Sequence, residues 1–331
     1  MSYELNFLSP NIKAKDTFVF TTKLWTTSDK LIMAPMHAVT NYVFRNAFDK
    51  TFPKAIDKAI TPFISLTHGN LTYSKRKYAD ILKENNTCDC EIIPQVLGND
   101  AKGIIDVCQT AYELGYNEVN WNMGCPQDRI MNKDRGAGLL RDTERIERVL
   151  CEVLDNVKVN FSIKIRLGYS SKEDIARLIP VINQYPIYNV VIHPRLGTDN
   201  YDTAVDLDSF EDSAKKINKR IIYNGDIFTV EDFNKLKLRF PNINEWMIGR
   251  GLLFNPSLPS QIKSIDYVDN KERLLALHSE LVRSNQSINK LKGCWAYFSV
   301  GLDWKEDKLK PLLNCETIDS LDRFVRDNIY D

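Results

Sequence analysis

Glu118-Val119-Asn120-Trp121-Asn122-Met123-Gly124-Cys125-Pro126 reads as a short buried strand that stops at a tight corner. Glycine admits backbone angles that other residues avoid and proline fixes its own φ, so the Cys125 thiol between them is held in one direction. A packing cysteine sits within an element, whereas one placed where a strand gives way to a loop sits where α/β proteins do chemistry. Working outward, β-rich apolar runs recur over Leu31–Met36, Ala59–Ser65, Ile92–Gly98, Glu118–Gly124, Ser162–Gly168, Val190–Arg195, Ile221–Asp226 and Trp246–Gly251. Helical periodicity fills gaps between them over Ala101–Leu114, Thr143–Leu154, Lys172–Asn183, Leu207–Ile217 and Val230–Leu238. Eight alternations of nearly continuous apolar strands with helices predict an α/β fold, a (β/α)8 TIM barrel in preference to an open doubly wound sheet.

Beyond Pro256 and Pro259 only helical periodicity remains, over Lys271–Arg283, Ile288–Leu302 and Ile318–Ile329. The expectation is a barrel over residues 1–258 and a small all-helical C-terminal domain over 259–331, too small to fold well without the barrel to pack on. Residues Met1–Asp29, polar and rich in Thr and Lys, are expected to wrap the barrel base or to be partly mobile.

The chain has 331 residues, with 44 Lys+Arg balanced by 44 Asp+Glu, so a nucleic-acid partner would need a local basic face and not a global field. Its seven cysteines follow no metal spacing; Cys88 and Cys90 form a C-x-C without a partner pair, and no metal is expected. An odd cysteine count, with no secretory h-region and no long apolar run, predicts a reducing cytoplasm and no membrane span.

Seven of the eight strands end in residues that a packed barrel core would not select: Ala34-Pro35-Met36, Gln95, Asn122 with Cys125, Lys164 with Arg166, His193 with Arg195, Asn224-Gly225-Asp226 and Gly249-Arg250. In a barrel these ends meet on one face, which makes the chain an enzyme candidate. Glycines after the seventh and eighth strands, with Arg250 adjacent, match a phosphate site, although either glycine alone would also suit a tight turn. Lys164, flanked by Ile163 and Ile165, needs an anion or electron-rich ring if it points inward, or it snorkels to the rim. The Gln95 amide suits the edge of a planar heterocycle. A phosphate clamp, a buried cation and an amide together point to flavin mononucleotide (FMN) across the mouth.

In order along the chain, Ala34-Pro35-Met36 with Thr40 and Phe44-Arg45, Pro94-Gln95-Val96-Leu97-Gly98, Asn122-Met123-Gly124-Cys125-Pro126, Gly136-Ala137-Gly138, Ile163-Lys164-Ile165-Arg166, Ile192-His193 with Arg195, Asn224-Gly225-Asp226 and Gly249-Arg250-Gly251 resemble the tRNA-dihydrouridine synthases. His37, and Lys290 and Lys292 ahead of Trp295 and Tyr297, are closer to the bacterial C-type subgroup. The resemblance implies that Ala34, Pro35, Met36, Gln95, Lys164, His193, Asn224, Gly225, Asp226, Gly249 and Arg250 hold FMN, and that Cys125 is the proton donor. It also implies that Asn122, Arg166, Arg195, Lys290 and Lys292 face tRNA. The implied reaction reduces the C5–C6 bond of a uridine in tRNA, with NADPH or NADH as electron donor; a monomer is expected. The chain departs from the family pattern at His37, Asn41, Pro62 and Pro194. Three other readings remain open: an FMN-dependent dehydrogenase of a free pyrimidine-type metabolite, a phosphate-binding isomerase or aldolase using Lys164, and a non-catalytic RNA-binding barrel.

Overall fold

The computed structural model describes residues 24–66, 76–265 and 269–331. The expectation for Met1–Asp29 therefore falls mostly outside the described residues; where description begins, Trp25 packs on Phe233 and Asp29 pairs with Lys237 at 2.5 Å.

Parallel strands β1 (Lys30–Met33), β2 (Lys58–Ile60), β3 (Ile64–Ser65), β4 (Glu91–Ile93), β5 (Gln95–Leu97), β6 (Glu118–Met123), β7 (Asn160–Arg166), β8 (Asn189–His193), β9 (Arg220–Asn224) and β10 (Glu245–Ile248) form one sheet. β2 and β3 are halves of one strand interrupted at Pro62, and β4 and β5 are halves of the next, interrupted at Pro94. Proline gives the ladder no N–H, which breaks both strands at the same level. The Thr61 hydroxyl bridges the gap by accepting the Gln95 N–H at 3.1 Å, and the Pro94 carbonyl still accepts from Asn120 N at 2.8 Å. Since β2 pairs with β4, β3 with β5, and β1 with both β2 and β10, the eight strands close into a barrel.

Side chains alternate across the sheet. Outward residues join one large apolar core with the surrounding helices, and Ile32, Ala34, Ile60, Ile93, Val191, Ile222 and Met247 fill the barrel interior. The interior beside β5, β6 and β7 is polar instead: Gln95, Asn120 and Ser162 lie in register across these strands and are fully buried.

Helices α1 (Tyr42–Thr51), α2 (Ala101–Glu113), α3 (Asp128–Met131), α4 (Thr143–Asn156), α5 (Glu173–Gln184), α6 (Leu207–Lys216), α7 (Val230–Arg239) and α8 (Arg250–Phe254) follow or connect the strands. The remainder is α9 (Leu258–Lys263), α10 (Asn270–Arg283), α11 (Ile288–Gly301), α12 (Glu306–Asn314) and α13 (Ile318–Asn328). α11 approaches α8 so closely that a Cβ on Gly301 would lie 1.6 Å from the Phe254 carbonyl oxygen. α10 lies against α1, where Arg273 donates to the Thr51 carbonyl at 2.8 Å and Lys50 pairs with Glu280 at 2.9 Å. The buried amides of Asn41 and Gln286 bond reciprocally at 3.4 and 3.1 Å. Among the described residues no helix is long and apolar enough to cross a membrane.

Candidate active site

At the C-terminal ends of the strands lies a mouth of about 580 Å³, part of it open to solvent. Its wall includes Ala34-Pro35-Met36 after β1, Gly124 after β6, Lys164 and Arg166 of β7, His193 of β8, Asn224-Gly225-Asp226 at the end of β9, and Gly249-Arg250 after β10. Thr40 holds the first of these segments, its hydroxyl accepting from Met36 N at 2.9 Å and donating to the Ala34 carbonyl at 3.3 Å.

One end of the mouth is cationic. Asp226, at φ +37°, salt-bridges Arg195 at 2.5 Å and Arg250 at 2.9 Å. The Arg250 guanidinium also lies 4.6 Å from the Tyr201 ring and 5.3 Å from the Phe228 ring, and its buried Nη1 has no hydrogen-bond partner among the described residues. That donor, beside Gly225 and Gly249, suits an anion with several acceptor oxygens. Gly251 follows, with a Cβ there falling 1.9 Å from the Ile227 carbonyl oxygen, so this turn tolerates no side chain.

On the floor, Lys164 makes no hydrogen bond or ion pair with any described residue. Burial, with the nearby Arg166 charge, lowers its pKa to about 7. A desolvated amine of this kind gains a great deal from an electron-rich partner. His193 bonds the Asn224 carbonyl through Nδ1 at 2.7 Å; a carbonyl only accepts, so Nδ1 carries the proton and Nε2 accepts from Arg195 Nη1 at 3.2 Å. Burial, then the charges of Arg166, Lys164 and Arg195, hold its pKa well below the usual value, so the imidazole is neutral.

Cys125 stands at the lip after Gly124. Its backbone is held from both sides: Asn122 Oδ1 accepts from Gly124 N and Cys125 N, each at 3.0 Å, and the Cys125 carbonyl accepts from Ala137 N at 3.0 Å. Gly136, at φ +55°, lies against that carbonyl where a Cβ would come within 2.7 Å. Burial pushes the thiol pKa up, and the Gln127 backbone N–H and the charges of Arg166, Lys164 and Arg129 only partly offset it. The thiol therefore stays protonated at neutral pH, as a proton donor must.

Several expected residues have other surroundings. Gln95 and Asn122 are buried and bonded to one another, Asn122 Nδ2 donating to Gln95 Oε1 at 2.9 Å. Arg166 is buried and donates to the carbonyls of Gly124, Leu196 and Asp199 at 3.1, 2.6 and 3.2 Å. Arg195, expected to face RNA, is buried with its donors spent on Thr203, Tyr201, His193 and Asp226, so it fastens the loop after β8. Alternation along a strand tells which way Arg195 points but not that a carboxylate at the end of the neighbouring strand β9 claims it. Lys290 and Lys292 are half-exposed on α11; Lys290 lies on the stripe of Cys294 and Tyr297, and Tyr297 senses the Arg250 and Tyr201 charges at the mouth. Tyr201 and Phe228, which the sequence reading missed, flank Arg250 from loops whose only signal is an aromatic beside a strand end. Cys88 and Cys90 bring their sulfurs to 3.5 Å, and no group of three or more metal-ligating side chains occurs among the described residues.

The family model described as dihydrouridine synthase matches residues 32–295. A tRNA-dihydrouridine(16) synthase of Neisseria meningitidis is 25% identical over 246 residues, which cover 72% of each chain. A probable tRNA-dihydrouridine synthase of Helicobacter pylori is 27% identical over 250 residues, covering 74% of this chain and 72% of that one. Among solved structures, a morphinone reductase variant superimposes with a TM-score of 0.50 at 12% identity, covering 71% of this chain and 86% of that one, a likeness of fold alone. With a closed barrel, a cysteine corner at its mouth and a family match over most of its length, the chain belongs to the dihydrouridine synthase family.

Proposed function

We propose that the protein reduces the C5–C6 double bond of a uridine in tRNA to 5,6-dihydrouridine, using FMN held in the barrel mouth and NAD(P)H as electron donor. The observation that most supports this reading is a protonated thiol on a doubly braced corner, close enough to Lys164 and Arg166 for their charges to act on it. The mouth suits FMN: the unpartnered Arg250 Nη1 between Gly225 and Gly249 fits the phosphate, and the unpaired Lys164 ammonium fits the electron-rich edge of the ring system. Ala34, Pro35, Met36, His193, Asn224 and Asp226 would complete that cradle, with Gln95 acting from beneath. When bound, this cofactor supplies the hydride that adds to C6.

The chain's own residues do the rest. Cys125 Sγ–H gives its proton to C5, and the wall of the mouth excludes water and holds the pyrimidine against the reductant. A uridine leaves its stack to reach the mouth, at a cost of about a few kcal/mol. The cations of the helical domain, residues 259–331, would help offset it, Lys290 and Lys292 among them. His37 lies flat on Phe63, ring centroids 5.0 Å apart at 9°, and exposes one face on which a flanking base can stack. Monomeric action in a reducing cytoplasm completes the reading.

Rapid mixing tests it. Pre-reduced Cys125→Ala protein should retain its flavin yet react with tRNA slower by about 10²–10⁴-fold, the range of a lost general acid. Reoxidation at the unsubstituted rate removes Cys125 from the mechanism. Reduction of a free pyrimidine with tRNA left untouched favours the metabolite dehydrogenase instead.

A further inference from the structure

A line of buried hydrogen bonds runs down the inside of the barrel from the Cys125 corner to its base. Gly124 N and Cys125 N donate to Asn122 Oδ1, and Asn122 Nδ2 donates to Gln95 Oε1 at 2.9 Å. Gln95 Nε2 donates to Asn120 Oδ1 at 2.8 Å, and Asn120 Nδ2 to Ser162 Oγ at 3.0 Å. Glu118, two residues below Asn120 on the same face of β6, accepts from Asn189 Nδ2 at 2.9 Å; burial raises its pKa, and the neighbouring Ser162 hydroxyl, Asn189 and the Lys58 charge pull it back toward the charged form. Asn120, Asn189, Ser162 and Gln95 are at most 1% exposed, and Asn122 and Glu118 little more.

Both ends of this line dictate its direction. Backbone N–H groups only donate, so Asn122 must turn its oxygen to the corner and its NH₂ downward. Ser162 Oγ accepts from Asn120 Nδ2, which leaves its own hydrogen for Glu118, and that hydrogen, the Asn189 amide and the Lys58 charge favour the carboxylate form against the upward push of burial. Each amide between has one orientation that satisfies both ends, and bonds aligned this way polarise one another. A single flipped amide would oppose two acceptors or two donors in a buried site.

We propose that Glu118, at the base of the barrel, fixes the orientation of Gln95 and Asn122 at its mouth through Ser162 and Asn120, and thereby positions the Cys125 thiol. Glu118, Ser162 and Asn120 are positioning residues: none lines the mouth. The inference rests on the proposed function only in taking Cys125 as the reacting group.

Ser162→Ala is the decisive variant, since it deletes one oxygen and leaves little space. With FMN added to every sample, Cys125 alkylation by iodoacetamide is followed by mass spectrometry of its peptide, alongside melting temperature and steady-state kinetics on tRNA. Loosening of the corner should speed alkylation of Cys125 by about threefold to tenfold as local opening becomes easier. kcat should fall by about tenfold with KM for tRNA unchanged, as for a misplaced catalytic group. Ser162→Thr, which keeps the hydroxyl, should restore both. Glu118→Gln, which keeps the shape and removes the charge, should reproduce the Ser162→Ala pattern more weakly and guards against a misfolded alanine variant. Unchanged alkylation in both Ser162→Ala and Glu118→Gln overturns the relay, as does a threonine variant as loose as the alanine one. Alkylation needs no tRNA, so a thiol that responds as expected in a protein that reduces no uridine supports the relay and overturns the proposed function alone.

Discussion

Arg250 spends one nitrogen on Asp226 and leaves another, Nη1, buried beside two glycines with no partner among the described residues. An unmet buried donor costs about 1–3 kcal/mol, which a bound anion at this position would offset. Arg250→Ala should therefore leave the barrel folded but strip it of flavin, measured as visible absorbance retained after gel filtration. Retention of a full complement of yellow cofactor would count against a phosphate at this position. At this scale the sequence located the corner at Gly124, Cys125 and Pro126 but not what shapes it: a Cβ on Gly124 would meet only ordinary contacts at 3.5 Å, and the turn is held by Asn122 Oδ1 and by Gly136 at φ +55°. It was least legible where a side chain's partner lies on a remote segment. Asn41 is a departure from the family pattern, and its reason is visible only in space, since a carboxylate could not donate to Gln286 in their reciprocal pair.

Among the elements, all eight strands and most expected helices lie within a few residues of their predicted bounds, because a strand buried on both faces writes itself as an apolar run. What periodicity could not reveal was that Pro62 and Pro94 split two of those runs at one level, where Thr61 lends a hydroxyl to the ladder. α12 was also missed, for it carries Pro311 within its span, a residue that reads as a breaker. The tail has its own buried polar group in His278 of α10, which accepts from Trp295 Nε1 and bonds Asp322 of α13, both at 3.1 Å. Burial lowers its pKa to about 4 from the usual 6.5, despite the opposing pull of Asp322. The unfolded chain binds the proton first, so stability is full above about pH 6.5 and falls as pH drops toward 4. The loss should reach up to about 3 kcal/mol. Urea melts of the full chain and of His278→Gln at pH 7 and pH 5 check this, the substituted protein showing the shallower dependence.

For the molecule as a whole, equal numbers of acidic and basic residues make RNA binding a matter of local cations. tRNA affinity should fall steeply with salt, and replacing Lys290 and Lys292 together by Ala should reduce the slope of log K against log salt by about 1 to 2. An unchanged slope would place the RNA elsewhere. α11 carries these lysines and also Gly301, which lies flush on Phe254, while the amide pair of Gln286 and Asn41 fastens the turn before α11 to the first loop of the barrel. Both fastenings sit within a few residues of the mouth wall at Met36 and Arg250. The lysine-bearing helix and the reactive pocket thus keep a constant separation, like the jaws of a fixed caliper. If Lys290 and Lys292 are where tRNA docks, the distance from them to the thiol is cast into the protein, and a transcript is served when its folded shape presents a pliable nucleotide at that reach.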